Sequence, residues 1–140
     1  MKRREFIALG TATAAGLFLP NATLAAPLTY EPGLVKARQD AGEVIFLDFK
    51  ASWCSTCRAQ ERVIKQLKSQ NPDYEAKITF IDIDWDDYGN SQLVKSMNIP
   101  RRSTLVALNG KSELGRIVAQ TDAGLIKALM DQALSAATNS

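Results

Sequence analysis

Cys54 and Cys57 are the only thiols in this chain, and two residues, Ser55 and Thr56, separate them. Cysteines at that spacing can close a small disulfide or hold a soft metal ion between two thiolates. They are too close together to act as a framework for a fold of 140 residues. No histidine is present. That excludes a Ser-His-Asp triad, a Cys–His nucleophile pair and every His-bearing metal site. Three chemistries stay open on composition alone: thiol–disulfide exchange, a two-thiolate Cu(I) or Zn carrier, and a structural disulfide on an interaction domain. For exchange, the attacking sulfur must be a thiolate. A helix N-terminus supplies unpaired N–H groups and positive potential, and it lowers a thiol below its free value of about 8.5.

The flanking pattern predicts such a seat for Cys54. Val44-Ile45-Phe46-Leu47-Asp48-Phe49 is a nearly continuous apolar run, as in a strand buried on both faces. After Ala51-Ser52-Trp53, Ala59, Val63, Ile64 and Leu67 line one side of a helix from Ser55 to Gln70. Cys57 then sits one turn into the helix, more enclosed, placed to resolve a mixed disulfide formed at Cys54. Asp48 is the odd member of the strand. A carboxyl held in apolar surroundings is raised toward neutrality, which suits proton exchange with a thiol; the plainer reading is a carboxylate hydrogen-bonded at the strand end.

Further along, residues 34–41 form a weak helix after an irregular lead-in over 26–33. Residues 78–83 form a strand, 85–90 a loop, and 91–97 a short helix capped by Ser91. Residues 104–108 and 113–119 are strands joined at Asn109-Gly110, a strong hairpin signal. A final helix begins at Thr121 or Asp122, and Leu125, Ile126, Leu129, Met130, Ala133 and Leu134 make its apolar face, the clearest in the chain. A β-α-β unit must be parallel and right-handed, and the hairpin antiparallel. The expected fold is α/β, a mixed four-stranded sheet with helices on both faces.

Residues 1–25 read differently. Lys2, Arg3 and Arg4 precede an apolar stretch from Phe6 to Leu19, Pro20-Asn21 breaks it, and small residues follow at 22–26. This is the three-part pattern of an export signal, too short for the roughly 20 residues that span a bilayer. Arg3-Arg4-Glu5-Phe6-Ile7 resembles a twin-arginine (Tat) signal, with Lys2 where Ser or Thr is preferred. Cleavage is expected after Ala25, leaving 26–140 as one domain in the periplasm. The cut takes three basic and one acidic residue from 17 and 15, so the remaining chain has 14 of each. That neutral balance gives no electrostatic case for nucleic acid. Asp82, Asp84, Asp86 and Asp87 are expected to form a solvated acidic loop, because the glycine that a calcium loop needs at its turn is missing.

The string Phe46-Leu47-Asp48-Phe49-Lys50-Ala51-Ser52-Trp53-Cys54-Ser55-Thr56-Cys57 resembles the active-site segment of the thioredoxin family. The resemblance extends in element order from about residue 34 to 137. It implies a thioredoxin-like fold and thiol–disulfide oxidoreductase activity on protein thiols and disulfides. It makes Cys54 the nucleophile, Cys57 the resolving thiol, Asp48 the carboxylate that handles its proton, and Trp53 part of the docking surface. It implies no cofactor beyond the Cys54–Cys57 pair. No nucleotide or flavin motif is present, so electrons come from a membrane or thioredoxin-type donor or a small thiol. A monomer is expected. The Ser-Thr dipeptide lacks the histidine that would favour a strongly oxidising pair, so reduction or an intermediate poise is expected. Three positions depart from the family pattern. Its cis-proline is replaced by Ser103, with Pro100 three residues early. A non-proline cis bond costs about 3–4 kcal/mol, so a trans bond or an altered loop is expected. Arg102, Ser103 and Thr104 are still expected to face the cysteines and offer backbone to a substrate strand. Phe80 replaces a lysine that commonly accompanies the buried Asp. Lys50, where an aromatic or small residue is usual, would favour the Cys54 thiolate if it pointed there and would otherwise face solvent.

Overall fold

Alternation along the first long strand divides the molecule into two apolar layers. In this computed structural model, which describes residues 26–139, the chain runs β1 (Leu28–Thr29), α1 (Leu34–Asp40), β2 (Val44–Lys50), α2 (Ser55–Gln70), α3 (Asp73–Lys77), β3 (Thr79–Asp84), α4 (Trp85–Tyr88), α5 (Gln92–Ser96), β4 (Thr104–Asn109), β5 (Ser112–Val118) and α6 (Ala123–Thr138). Val44 and Phe46 face Ile64 and Leu67 of α2, Tyr74 of α3 and Ile126 and Met130 of α6. Ile45, Leu47 and Phe49 face Val35 of α1 and Val94 of α5. Side chains alternate across a strand, so Asp48 and Lys50 share the α2 side with Phe46.

The sheet order is β1-β3-β2-β4-β5. β2 and β3 are parallel, with Asp48 opposite Asp82, and β2 and β4 are antiparallel, with Asp48 opposite Leu105. The sheet therefore has five strands rather than four. The additional one is the pair Leu28–Thr29, parallel to Ile81 and Asp82 at the edge, inside the expected irregular lead-in. Two residues are too few to show a periodicity. Two short helices were also hidden by length. α3 carries one buried residue, Tyr74. α4 occupies the expected loop and starts where the Asp84 carboxylate accepts from the Asp86 N–H. The β4–β5 turn follows the hairpin expectation, with Gly110 at φ 55°. The leader assigned to residues 1–25, with its cut after Ala25, lies outside the described residues.

Candidate active site

β2 ends at Lys50, and the chain turns through Ala51, Ser52 and Trp53 into α2. Cys54 is the N-cap of that 16-residue helix, and its sulfur accepts from the Cys57 backbone N–H at 3.1 Å. The sulfur thus occupies the place of a capping oxygen and satisfies one of the helix's unpaired donors. Cys54 and Cys57 form a disulfide with Cα atoms 5.2 Å apart. Cys57 is wholly buried. Cys54 is 3% exposed, a narrower opening than the sequence leads one to expect of the attacking sulfur. Ala51 and Trp85 pack around the pair.

Trp53, 55% exposed, is the prominent apolar group beside the pair. Its indole N–H donates to Asp86 at 3.0 Å, and the Arg102 guanidinium lies 4.3 Å from its ring centre. Arg58 donates to the Ser52 carbonyl, and Arg101 to the Arg102 carbonyl. Of the expected docking residues, Trp53 is exposed and Arg102 half-buried, whereas Ser103 and Thr104 are closed to solvent. The Ser103 N–H donates to Phe49 O at 2.7 Å, and the Ser103 carbonyl accepts from the Ala119 N–H at 2.8 Å. Both backbone groups are spent inside the fold, so Ser103 cannot pair with an incoming strand as expected. Thr104 likewise turns its hydroxyl to the Arg101 carbonyl.

The Arg102–Ser103 bond is trans, and no described residue has a cis bond. In place of the proline, Ser103 adopts φ 63°, a left-handed conformation uncommon outside glycine. Its hydroxyl lies 3.1 Å from both cysteine sulfurs. Gln60, which no motif in the sequence marks, holds this turn from beneath. It is fully buried, and its amide donates to the carbonyls of Ser103 and Gln120, each at 3.0 Å. A polar residue on the buried side of an amphipathic helix was the available signal.

Behind the pair, on the α2 side of the sheet, Asp48 is 6% exposed and one of its oxygens has no hydrogen-bond partner. Burial raises its carboxyl from 3.8 to about 7, against the pull of the Lys50 cation. Asp48 lines a cavity of about 350 Å³ together with Lys50, Glu61, Lys68, Phe80 and Asp82. Lys50 does not serve Cys54, and it is not turned to solvent. Its ammonium lies 3.3 Å from Glu61 and 3.6 Å from Asp82. Burial works against its charge, but Asp48, Asp82 and Glu61 hold its pKa above the usual lysine value. Strand alternation explains the correction: Lys50 shares a face with Asp48, two residues back. Lys68, buried and stacked 3.8 Å above Phe80, lies on the same wall. The cation missing at Phe80 is thus replaced by lysines from β2 and α2. Asp82, expected in a solvated loop, is drawn into this network, and burial raises its pKa. Lys50→Met is expected to move the Asp48 titration upward, followed by the carboxyl carbon shift in NMR. An unmoved titration would show that Lys50 does not act on Asp48.

Among the described residues, no group of three or more Cys, Asp or Glu is arranged to hold a metal ion. The family model for thioredoxin matches residues 33–132. Thioredoxin O1 of Arabidopsis thaliana mitochondria is 36% identical over 84 residues, covering 60% of this chain and 41% of that protein. Thioredoxin H2-1 of Oryza sativa is 28% identical over 82 residues, covering 59% and 55%. The chain spans about half the length of these curated relatives. Among solved structures, Trxlp of Edwardsiella tarda matches with a TM-score of 0.63 at 21% identity, over 74% of this chain and 98% of that one. Oxidised thioredoxin O2 of Arabidopsis thaliana matches with a TM-score of 0.61 at 24% identity, over 75% and 91%. With a family model covering most of its length and a Cys-x-x-Cys disulfide at the head of α2, the chain belongs to the thioredoxin family.

Proposed function

We propose that this chain is a thiol–disulfide oxidoreductase that reduces protein disulfides in a bacterial periplasm. The observation that carries this is the Cys54 sulfur at the N-cap of α2, disulfide-bonded to a Cys57 one turn deeper. In the reduced protein the Cys54 thiolate attacks a client disulfide. One client sulfur leaves as a thiolate and takes up a proton, and a Cys54–client mixed disulfide forms. Cys57 gives up its proton, attacks the Cys54 sulfur and releases the second client thiol. Two electrons pass to the client, and the pair ends as the disulfide. Asp48 is the acceptor for the Cys57 proton: it lies on the sheet face that α2 covers, and a carboxyl near 7 is matched to that exchange. Its cavity is the route by which the proton reaches solvent. Trp53 and Arg102 form the surface on which clients dock. A membrane or thioredoxin-type protein restores the dithiol. The leader pattern of residues 1–25 supports export, by the Tat route.

Insulin reduction with dithiothreitol as electron source tests the activity. The protein is expected to accelerate it, Cys54→Ser to abolish the acceleration, and Cys57→Ser to accumulate a mixed disulfide visible by mass. No acceleration by the intact protein would overturn the reading. Equilibration with glutathione tests the direction: a potential near about −120 mV, that of a strong disulfide donor, would overturn reduction.

A further inference from the structure

We infer that the Ser103 hydroxyl is a catalytic group, the internal hydrogen-bond donor that holds Cys54 as a thiolate and makes the Cys54–Cys57 disulfide easier to reduce. The inference rests on the proposed exchange chemistry and deepens it. Ser103 is fully buried, and the contacts of its hydroxyl are the two sulfurs, each at 3.1 Å. Charged side chains around the motif have other neighbours: Arg102 stacks on the Trp53 ring with its Nε buried and unpartnered, Arg58 donates to the Ser52 carbonyl, Asp86 accepts from the Trp53 indole, and Lys50 pairs with Glu61 and Asp82. Behind the sheet, Asp48 and Lys68 face the cavity. Ser103 is therefore the side-chain hydroxyl placed to respond to the charge on sulfur.

The two redox states use that hydroxyl unequally. A disulfide sulfur is a weak acceptor, so a buried O–H against it recovers little of the cost of leaving water. On reduction, Cys54 becomes a thiolate and takes a charge-assisted hydrogen bond from the Ser103 O–H, a stronger bond than a neutral one. The Ser103 oxygen keeps lone pairs that can accept from the Cys57 S–H. With glutathione, the disulfide and two thiols give the Cys54 thiolate, the Cys57 thiol, one proton and oxidised glutathione. Ser103 stabilises the right-hand side. The backbone is built to aim this group. The left-handed φ of 63° at Ser103 is matched by φ 58° at Ala119, whose N–H donates to the Ser103 carbonyl, and the Gln60 amide ties that carbonyl to Gln120. Strained non-glycine residues held in place by their surroundings are a mark of functional sites.

Ser103→Ala and Ser103→Gly separate hydroxyl from backbone, because glycine adopts positive φ without strain. Two readouts are needed: the pH midpoint of Cys54 alkylation by iodoacetamide in the reduced protein, and the glutathione equilibrium of the pair. Both variants are expected to raise the alkylation midpoint. Both are expected to shift the equilibrium toward the disulfide about tenfold, or about 30 mV for two electrons. Unchanged values in either folded variant would overturn the inference. A shift in Ser103→Ala without one in Ser103→Gly would assign the effect to backbone strain and would also overturn it. Neither readout depends on client turnover, so insulin reduction by the intact protein judges the exchange activity separately.

Discussion

Asp48→Asn is expected to stabilise the oxidised protein by roughly 4 kcal/mol at pH 8 while slowing the resolution of mixed disulfides. The stability follows from linkage. Burial raises the Asp48 carboxyl from 3.8 to about 7 in the fold. Below pH 4 both folded and unfolded chains carry the proton. Between about pH 4 and pH 7 the unfolded chain releases it and the folded chain keeps it, so stability falls as pH rises. Above pH 7 the folded protein holds a buried carboxylate and the loss is complete. At about 1.36 kcal/mol per pKa unit, the difference between 3.8 and about 7 corresponds to ~4 kcal/mol. Asparagine is neutral at every pH and avoids the loss. Urea unfolding from pH 4 to 9 is the measurement: the variant is expected to lose the part of the fall that Asp48 causes and to keep the part due to Asp82, whose pKa burial also raises. Parallel curves would show that Asp48 titrates as an ordinary carboxyl. The kinetic cost has the opposite sign. Asparagine cannot take the Cys57 proton, so decay of the mixed disulfide at pH 7 is expected to slow by about a hundredfold, the lower end of the range for lost general-base assistance. Equal decay rates would remove Asp48 from the proton path.

Much of this arrangement was legible in the chain because it depends on local pattern. The apolar run at 44–49 and the helical spacing at 59–67 place Cys54 at a strand-to-helix junction, and the structure puts it at the N-cap of α2. Asp48 stood out because it interrupts an apolar strand. The features that were missed depend on which groups meet across the fold. Lys50 lies near Cys54 in sequence, but strand alternation turns it toward Asp48, Glu61 and Asp82. Lys68 lies on α2, far along the chain from the Phe80 position whose missing cation it helps replace. Ser103 marked a departure from the family pattern, but residue type alone could not show a left-handed backbone that closes it off from docking. The edge strand β1 was too short to carry a pattern and became visible through its pairing with β3.

Restoring the family's residue with Ser103→Pro is expected to destabilise this protein by about 3 kcal/mol or more. Proline has no N–H, and the Ser103 N–H donates at 2.7 Å to Phe49 O, tying the turn before β4 to the end of β2. Proline also fixes φ near −65°, whereas Ser103 stands at 63°. The change would leave a buried carbonyl without this donor and force the turn to refold. The Ser103 carbonyl would then lose its alignment with the Ala119 N–H and the Gln60 amide. For a domain of this size the expected fall in Tm is about 10 °C or more. Thermal unfolding of the oxidised protein measures it, with Ser103→Gly as the control that keeps the N–H and accepts positive φ. The glycine variant is expected to stay well above the proline variant. A proline variant as stable as the parent would mean that the loop can switch to the family's arrangement without loss. The left-handed serine would then be a replaceable detail rather than the consequence of how Phe49, Gln60 and Ala119 grip it.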